Sequence, residues 1–257
     1  MLNSTPLNCL LYADDLVILS ESKEGLQKSL DILSLYCEKW GLEVNTRKTK
    51  CLVFNTMGRL SPIKFKYKNL EIENTTSYTY LGVTFSASGS FTEAKNVLYK
   101  KSLKAFFKFS KYFTEYKPDI STLINIFNHT VQPVALYGSE IWGTFDTKKF
   151  NSNPYWYFEK LCHDNVLEKV NMKLCRFALS VNRYSTHLAV RGELGRYPLY
   201  LNILFSMIKY WKRVALSKDL LIQEAFQLSD NLAKQGKSSW VNCIYSLFKF
   251  LNPKVKY

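Results

Sequence analysis

The sequence predicts an α+β protein in which a mixed N-terminal part precedes a helical part. Up to about residue 92, short β-branched and aromatic runs bounded by turn residues surround one amphipathic helix. From residue 93 onward, apolar residues recur at the three- and four-residue spacing of helices. We therefore predict two domains, residues 1–92 with a mainly antiparallel sheet and residues 93–257 with helices alone.

The composition is that of a globular protein with a basic surplus. Of 257 residues 47% are hydrophobic, and 35 Lys+Arg against 21 Asp+Glu give a net charge of +14. A disordered tail, a collagen-like repeat and a disulfide mini-protein are excluded. Residues 1–95 hold 11 basic and 10 acidic side chains, whereas residues 96–257 hold 24 and 11. The helical part is therefore the part that favours a polyanionic partner, either nucleic acid or an acidic membrane surface.

Cysteine usage and hydropathy indicate the compartment. The six cysteines are dispersed, mostly inside apolar runs, and the N-terminus lacks a signal-peptide pattern. We therefore expect reduced, buried thiols and an intracellular protein, nuclear or cytoplasmic, that is not secreted. The longest apolar segment, residues 199–208, is far shorter than the roughly 20 residues of a membrane helix, so no membrane partner is expected.

The first elements surround a pair of carboxylates. Residues 9–12 and 16–19 are apolar runs on either side of Ala13-Asp14-Asp15, and they predict a hairpin of buried strands with the carboxylates at its tip. A helix is predicted from about Ser22 to Trp40, with Gly41 suited to the left-handed residue that ends it. Its apolar stripe comprises Leu26, Leu30, Leu33, Cys37 and Trp40.

The remaining elements follow the same two periodicities. We predict a strand over residues 50–55, a hairpin over 63–72 with its turn at Lys68-Asn69, and one strand over 78–85. Residues 148–154 are predicted to be a flexible loop. The predicted helices span residues 94–113, 120–137, 157–180, 199–217 and 220–235.

Adjacent carboxylates between apolar strands are physically costly. The two charges repel each other, and burying either one without a partner is expensive. A divalent cation resolves both problems, because Mg²⁺ takes carboxylate oxygens and keeps positions for phosphate. The alternative is an ordinary Asp-Asp turn, since Asp is common in turns.

Five segments carry a resemblance to a known family. The run Leu11-Tyr12-Ala13-Asp14-Asp15 closely resembles the YxDD signature of reverse transcriptases, in the YADD form of non-LTR (long interspersed element) retrotransposons. Residues 41–50 (GLEVNTRKTK) resemble that family's next palm motif, and residues 80–83 (YLGV) resemble its primer-grip motif. Residues 136–142 (LYGSEIW) and 191–199 (RGELGRYPL) resemble segments downstream of the polymerase core. YADD alone is a weak signal, whereas five segments in the right order over almost the whole chain are a strong one.

The resemblance implies a catalytic role for the hairpin. Asp14 would be a direct ligand of the catalytic Mg²⁺ (or Mn²⁺) ions, with Asp15 beside it, on the active-site hairpin that contains Tyr12 and Ala13. The reaction would be attack of a primer 3′-hydroxyl on the α-phosphate of a nucleotide, stabilised by two metal ions.

The resemblance also implies roles for two later segments. Lys48 matches the position proposed to protonate the leaving pyrophosphate; the alternative is a solvated lysine in a basic loop. Tyr80, Leu81 and Gly82 would position the primer end; the alternative is an ordinary strand and its packing.

The same resemblance implies parts upstream of the tetrad. A reverse transcriptase of this family has fingers and two earlier palm motifs, with another metal-binding Asp and the nucleotide pocket, and only 13 residues precede Asp14. We therefore expect a palm remnant (1–92) and a basic helical thumb with a downstream region (93–257). We also expect no polymerase activity from this chain alone, and nucleotide binding only if the upstream part is supplied. The alternatives are a non-catalytic RNA- or DNA-binding protein and a decayed transposon remnant.

One predicted helix carries a lysine stripe. At about 100° per residue, Lys100, Lys104, Lys108 and Lys111 fall within roughly 80° of one another, opposite an aromatic face. No Asp or Glu lies between Glu93 and Glu115 to pair with them. The stripe is either a solvated face or, as the resemblance implies, a thumb surface that contacts the backbone of an RNA template and DNA primer.

Two further groups of residues are candidates for function. Most aromatic residues lie within apolar patterns and are predicted to be core; Phe107, beside the lysine stripe, is the one candidate for base stacking. Cys162, His163, Cys175 and His187 lack the close paired spacing of a zinc site, so no zinc is predicted.

Overall fold

Strands are confined to the first of two compact units. The computed structural model describes residues 9–116 and 118–252, and the chain divides into an N-terminal unit, Met1–Glu93, and a C-terminal unit, Ala94–Tyr257. Every strand of the described residues lies in the N-terminal unit, and the C-terminal unit is built of helices. The α+β class predicted from sequence is confirmed.

The N-terminal unit contains three small sheets instead of one. Its elements are β1 (Cys9–Tyr12), β2 (Asp15–Ile18), α1 (Lys23–Trp40), β3 (Lys50–Leu52), β4 (Phe65–Tyr67), β5 (Leu70–Thr75), β6 (Ser77–Tyr80) and β7 (Val83–Ser86). The sheets are β1-β2, β3-β5-β4 and β6-β7, and only the β3–β5 pair is parallel. The prediction of a single sheet is wrong, because among the described residues no strand of one group pairs with a strand of another.

Helix α1 begins and ends where the sequence predicts. The Ser22 hydroxyl accepts a hydrogen bond from the Gly25 amide at 3.0 Å, and Gly41 ends the helix with φ 63°. Leu30 packs into a buried cluster with Cys51, Phe65, Tyr67 and Ile72 of the three-stranded sheet. The prediction that Trp40 belongs to this apolar face is wrong, because its side chain is exposed, with its ring against Tyr36 and Lys39.

Local turn geometry explains what happens to the predicted strands. The hairpin over 63–72 is confirmed, with Phe65 paired to Ile72. Residues 78–85 are not one strand: they fold back at Leu81 (φ 46°) and Gly82 (φ 82°), and two consecutive positive φ angles are those of a type I′ turn. Strand β3 ends at Leu52 instead of 55, because Asn55 turns the chain by accepting hydrogen bonds from Gly58 and Arg59.

The C-terminal unit is a helical assembly that includes most of α2. Its helices are α2 (Thr92–Glu115), α3 (Ile120–Thr130), α4 (Gln132–Ala135), α5 (Ser139–Trp142), α6 (Thr147–Ser152), α7 (Pro154–Asp164), α8 (Glu168–Leu179), α9 (His187–Glu193), α10 (Leu199–Ala215), α11 (Leu220–Lys234) and α12 (Trp240–Leu251). Among the described residues, no helix has the length and apolarity needed to cross a membrane.

Two predicted helices are divided and one predicted loop is a helix. The segment 120–137 forms α3 and α4, and the segment 157–180 is interrupted after α7, where Asn165 is extended. The prediction of a loop over residues 148–154 is wrong, because α6 occupies most of them. The Asp146 carboxylate accepts hydrogen bonds from Lys148 and Lys149, and Phe150 is buried, so a cap and a core contact fix this helix.

Helix α2 packs on α3 and α8 through aromatic rings. Phe106 and Phe109 of α2 lie 6.5 and 6.0 Å from the ring of the fully buried Phe127 of α3. The cluster continues into α8 through Val170 and Leu174. The aromatic face of α2 is therefore core, as predicted.

Gly143→Ala is expected to lower the free energy of unfolding by about 1–3 kcal/mol, the usual cost of overpacking. A Cβ at this position would lie 2.5 Å from Ile203 Cγ2, 2.6 Å from the Ser139 carbonyl oxygen and 2.7 Å from Met207 Sδ. Urea unfolding of the chain measures the loss. Gly192→Ala in α9 is the matched control, because the added Cβ meets no atom within 4 Å. Equal losses in the two variants would contradict the packing argument.

Candidate active site and nucleic-acid surface

The carboxylate pair lies at the tip of the β1–β2 hairpin. Tyr12 pairs with Asp15 across the two strands, so Ala13 and Asp14 form a two-residue turn. Ala13 has φ 53°, a left-handed conformation that costs a residue with a Cβ about 1–2 kcal/mol. Packing elsewhere in the unit must offset this cost. Strained backbone of this kind is frequent in turns that are shaped to bind a ligand.

The hairpin is exposed, and the prediction of buried strands is wrong. Leu11 is 71% and Tyr12 64% exposed, because β1 and β2 pair with no other strand of the described residues. Its base is anchored, where Ile18 packs against the α1 core cluster. Asp14 and Asp15 are both exposed, and neither carboxylate has a hydrogen-bond or ion-pair partner within the described parts of the chain. Their oxygens are therefore open to a cation.

Lys48 lies in the loop between α1 and β3. Its backbone amide donates to the Asn45 side-chain oxygen at 3.2 Å, which fixes the turn that carries it. The Lys48 side chain is exposed and forms no ion pair with a described residue, whereas Lys50 pairs with Glu73 across the β3–β5 pair. The Lys48 ammonium group is therefore accessible to a phosphate. The same exposure is also that of an ordinary solvated lysine.

The third predicted segment is a turn. Tyr80 is the last residue of β6, and Leu81 and Gly82 form the type I′ turn to β7, which the Thr79–Thr84 hydroxyl pair supports at 2.9 Å. The predicted active-site residues therefore lie on three separate turns of the N-terminal unit.

The lysine stripe of α2 is a separate, exposed surface. Lys100, Lys104, Lys108 and Lys111 are all exposed, while Leu98 is buried with the aromatic face on the opposite side. None of the four ammonium groups has a carboxylate partner within 4 Å among residues 9–116 and 118–252. The helix therefore has the two faces that the sequence predicts, with its positive charge unneutralised.

The segment 191–199 has a structural role that the sequence did not reveal. Glu168, the first residue of α8, is buried, and its carboxylate accepts hydrogen bonds from Asn171 at 2.9 Å and from the Leu199 amide at 2.8 Å. Arg191 lies 3.4 Å from the same carboxylate. Burial raises the pKa of Glu168, and these hydrogen bonds and the arginine charge oppose that shift.

Arg196 extends this network. Its guanidinium donates to Asn171 at 2.5 Å, to Asn128 at 3.0 Å and to Gln132 at 3.1 Å, and it stacks 5.2 Å from the Phe127 ring. The network therefore joins α3, α4, α8, α9 and the start of α10.

The cysteines are free thiols, as predicted. Five of the six are buried, and Cys9 is exposed. Burial raises the pKa of Cys162, Cys175 and Cys243 to about 11, so these thiols stay protonated and unreactive. In the described portion of the chain, no group of three or more His, Cys, Asp and Glu side chains is arranged to hold a metal ion.

Comparison with protein families gives a match to the N-terminal unit. Residues 1–85 match the family described as reverse transcriptase (RNA-dependent DNA polymerase). The reverse transcriptase match covers the Asp14-Asp15 hairpin, Lys48 and the Tyr80-Leu81-Gly82 turn, but ends before the lysine stripe. No solved structure gives a significant match.

The individual relatives are proteins named as coming from transposable elements. The chain is 30% identical over 142 residues to an uncharacterised transposon-derived protein of Caenorhabditis elegans. It is 26% identical over 150 residues to a Drosophila melanogaster protein named as the probable RNA-directed DNA polymerase from transposon BS. It is 31% identical over 106 residues to the retrovirus-related Pol polyprotein from retrotransposable element R2 of Nasonia vitripennis. These matches cover 54%, 54% and 38% of this chain and 50%, 16% and 10% of the relatives, so the chain spans half or less of their length.

Proposed function

We propose that this chain is part of an RNA-directed DNA polymerase of a non-LTR retrotransposon, from the YADD hairpin onward. In this proposal the N-terminal unit is the part of the palm that holds the hairpin, and the C-terminal unit is the thumb with a downstream region. The observation that carries the proposal is the open carboxylate pair of Asp14 and Asp15 at the tip of a hairpin, inside the segment that matches reverse transcriptase; Asp14 lies in the strained two-residue turn, and Asp15 is the first residue of β2.

The carboxylate pair fits a divalent cation by its chemistry. Mg²⁺ and Mn²⁺ prefer carboxylate oxygens, and Asp14 and Asp15 offer up to four oxygens with no competing partner in the described residues. A divalent ion held there would supply stabilisation of negative charge on a phosphate that a primer 3′-hydroxyl attacks. A two-metal site needs further oxygen ligands, so this pair supplies part of one. Lys48 would hold a proton for the leaving pyrophosphate, and Tyr80, Leu81 and Gly82 would position the primer end.

Binding of Mn²⁺ to the hairpin tests the metal proposal. We expect Mn²⁺ to broaden the backbone NMR signals of residues 12–15, because a paramagnetic ion relaxes nearby nuclei. The variant with Asp14→Asn and Asp15→Asn is expected to lose this broadening, whereas Glu43→Gln, an exposed acid elsewhere in the unit, is expected to keep it. Equal broadening in the double variant would place the ion elsewhere and contradict the proposal.

Primer extension tests whether the chain acts as a polymerase by itself. On a primed RNA template with Mg²⁺ or Mn²⁺, we expect the 257-residue chain to add no nucleotides, because two carboxylates are too few to position two ions. Robust extension that Asp14→Asn abolishes would instead establish a complete enzyme.

Non-catalytic binding of RNA or DNA is the second candidate function. The unpaired lysine stripe of α2 favours it, because backbone binding requires positive charge and not a metal site. A bound template and primer would then be held by the C-terminal unit whether or not the hairpin carries out chemistry.

A further inference from the structure

One aromatic side chain lies inside the lysine stripe. Phe107 is three residues after Lys104 and four before Lys111, so the three side chains share one face of α2. The buried rings of the helix point the other way: Phe106 and Phe109 belong to the core cluster, whereas Phe107 is 55% exposed. An exposed ring with a lysine one turn away on each side is not explained by the packing of α2.

A second helix brings a further cation to this ring. The Lys173 ammonium of α8 lies 5.6 Å from the centre of the Phe107 ring. The charge around Phe107 is therefore positive from two helices, and none of these lysines has a carboxylate within 4 Å among residues 9–116 and 118–252. The surroundings suit a partner that combines a flat apolar surface with negative charges on both sides of it.

We propose that Phe107 stacks on an unpaired base of single-stranded RNA or DNA while Lys104, Lys111 and Lys173 contact the flanking phosphates. This inference rests on the proposed nucleic-acid function of the C-terminal unit and specifies its ligand. A nucleotide has the two required parts, a π-face and a phosphate, and base stacking on aromatic residues tolerates any sequence.

The partner is a single strand and not the interior of a duplex. In a duplex the base faces are stacked on one another, and the sugar-phosphate backbone and the base edges face outward. A protein ring therefore contacts base faces where the strand is unpaired. The lysines alone would bind the phosphates of a single strand and of a duplex alike. The phenyl ring is what distinguishes the two.

The Phe107→Ala variant tests the proposal in binding to a single-stranded RNA of about 12 nucleotides. We expect a loss of affinity of about 5- to 150-fold, which is the fold-change that one stacked base provides. Binding to a blunt RNA duplex is expected to stay within about twofold, and the salt dependence of single-strand binding is expected to be unchanged, because every lysine that faces a phosphate is still present. Phe107→Tyr, which keeps a ring, is expected to retain single-strand affinity.

A matched control uses an exposed ring outside the stripe. Tyr155 of α7 is 79% exposed and has no lysine three or four residues away, and Tyr155→Ala is expected to leave single-strand binding unchanged. Circular dichroism and thermal melting verify that each variant is folded. We expect both variants to fold, because both rings are exposed.

The outcomes separate this inference from the proposed function. Unchanged single-strand affinity of Phe107→Ala, or equal losses on single strand and duplex, would overturn the stacking role while leaving backbone binding in place. If the unmodified chain binds neither single strand nor duplex, the proposed nucleic-acid function itself is overturned. A selective single-strand loss that Phe107→Tyr does not share supports the inference.

Discussion

Glu168→Ala is expected to lower the free energy of unfolding by about 3–5 kcal/mol, the cost of removing one partner of a buried ion pair. The Glu168 side chain is 2% exposed, and Arg191 beside it is also buried. Removing the carboxylate leaves the Arg191 guanidinium with an uncompensated charge. It also leaves the Leu199 amide without its acceptor. Each loss alone is costly in an interior where water cannot replace the partner.

The effect is expected to extend beyond the pair itself. Asn171 donates to Glu168 and accepts from Arg196, and Arg196 in turn donates to Asn128 and Gln132. Loss of the carboxylate therefore allows the Asn171 side chain to rotate. That rotation is expected to weaken the hydrogen bonds of Arg196 to α3 and α4. A partly satisfied buried network is less stable than a complete one.

Urea unfolding of the whole chain measures this effect. Glu168→Gln keeps one acceptor oxygen and loses the charge, so its loss is expected to be smaller, about 1–3 kcal/mol. Glu159→Ala is the control: that carboxylate is 70% exposed and 3.9 Å from His163, and exposed pairs contribute about 0–1 kcal/mol. If Glu168→Ala and Glu159→Ala unfold at the same urea concentration, the network does not stabilise the fold.

Where local chemistry determines an element, the sequence is sufficient to predict it. Helix α1 carries its own cap at Ser22 and its own terminator at Gly41, and both are used in the structure. The turn at Leu81-Gly82 is not predictable in the same way, because leucine with a positive φ has no local signal of its own. Helix α6 has a polar composition that resembles a loop, and the burial of Phe150 that stabilises it depends on tertiary packing.

The features of the candidate site also fall into those that neighbouring residues determine and those that tertiary contacts determine. The position of Asp14 and Asp15 at a hairpin tip follows from residues adjacent in the chain, and the structure has them there. The exposure of the two strands depends on which other strands pair with them, and the residues of the hairpin do not determine that. The Glu168–Arg191 pair joins residues 23 positions apart, and neither residue has a local sequence signal that points to the other.

Replacing Lys100, Lys104 and Lys108 by Gln is expected to flatten the salt dependence of duplex binding. Each lysine that binds a duplex phosphate releases counterions, so the slope of log K against log salt falls by about 0.9 for each such lysine that is replaced. If all three lysines bind the backbone, the slope changes by about 2.7, and the affinity at low salt falls more than tenfold. The decrease is expected to be independent of sequence, because phosphate contacts do not read bases.

A control is needed to separate the effect of the lost net charge from the effect of where the lysines lie. The control replaces Lys148, Lys218 and Lys237, three exposed lysines elsewhere in the C-terminal unit, by Gln and so removes the same three charges. It is expected to keep the original slope. Equal slopes in the two triple variants would show that the stripe acts only through overall charge.

The same triple variant is also expected to change the free energy of unfolding. That change is in the opposite direction to the loss of binding affinity. Lys100 and Lys104, and Lys104 and Lys108, are like charges four residues apart on one helix, and each such pair destabilises α2 by about 0.2–0.5 kcal/mol. The stripe variant is therefore expected to unfold at an equal or slightly higher urea concentration while binding nucleic acid more weakly. A protein that becomes no less stable but binds less well has lost a functional surface and not a structural one. A stripe variant that binds as well as the unmodified chain would mean that these lysines face only solvent.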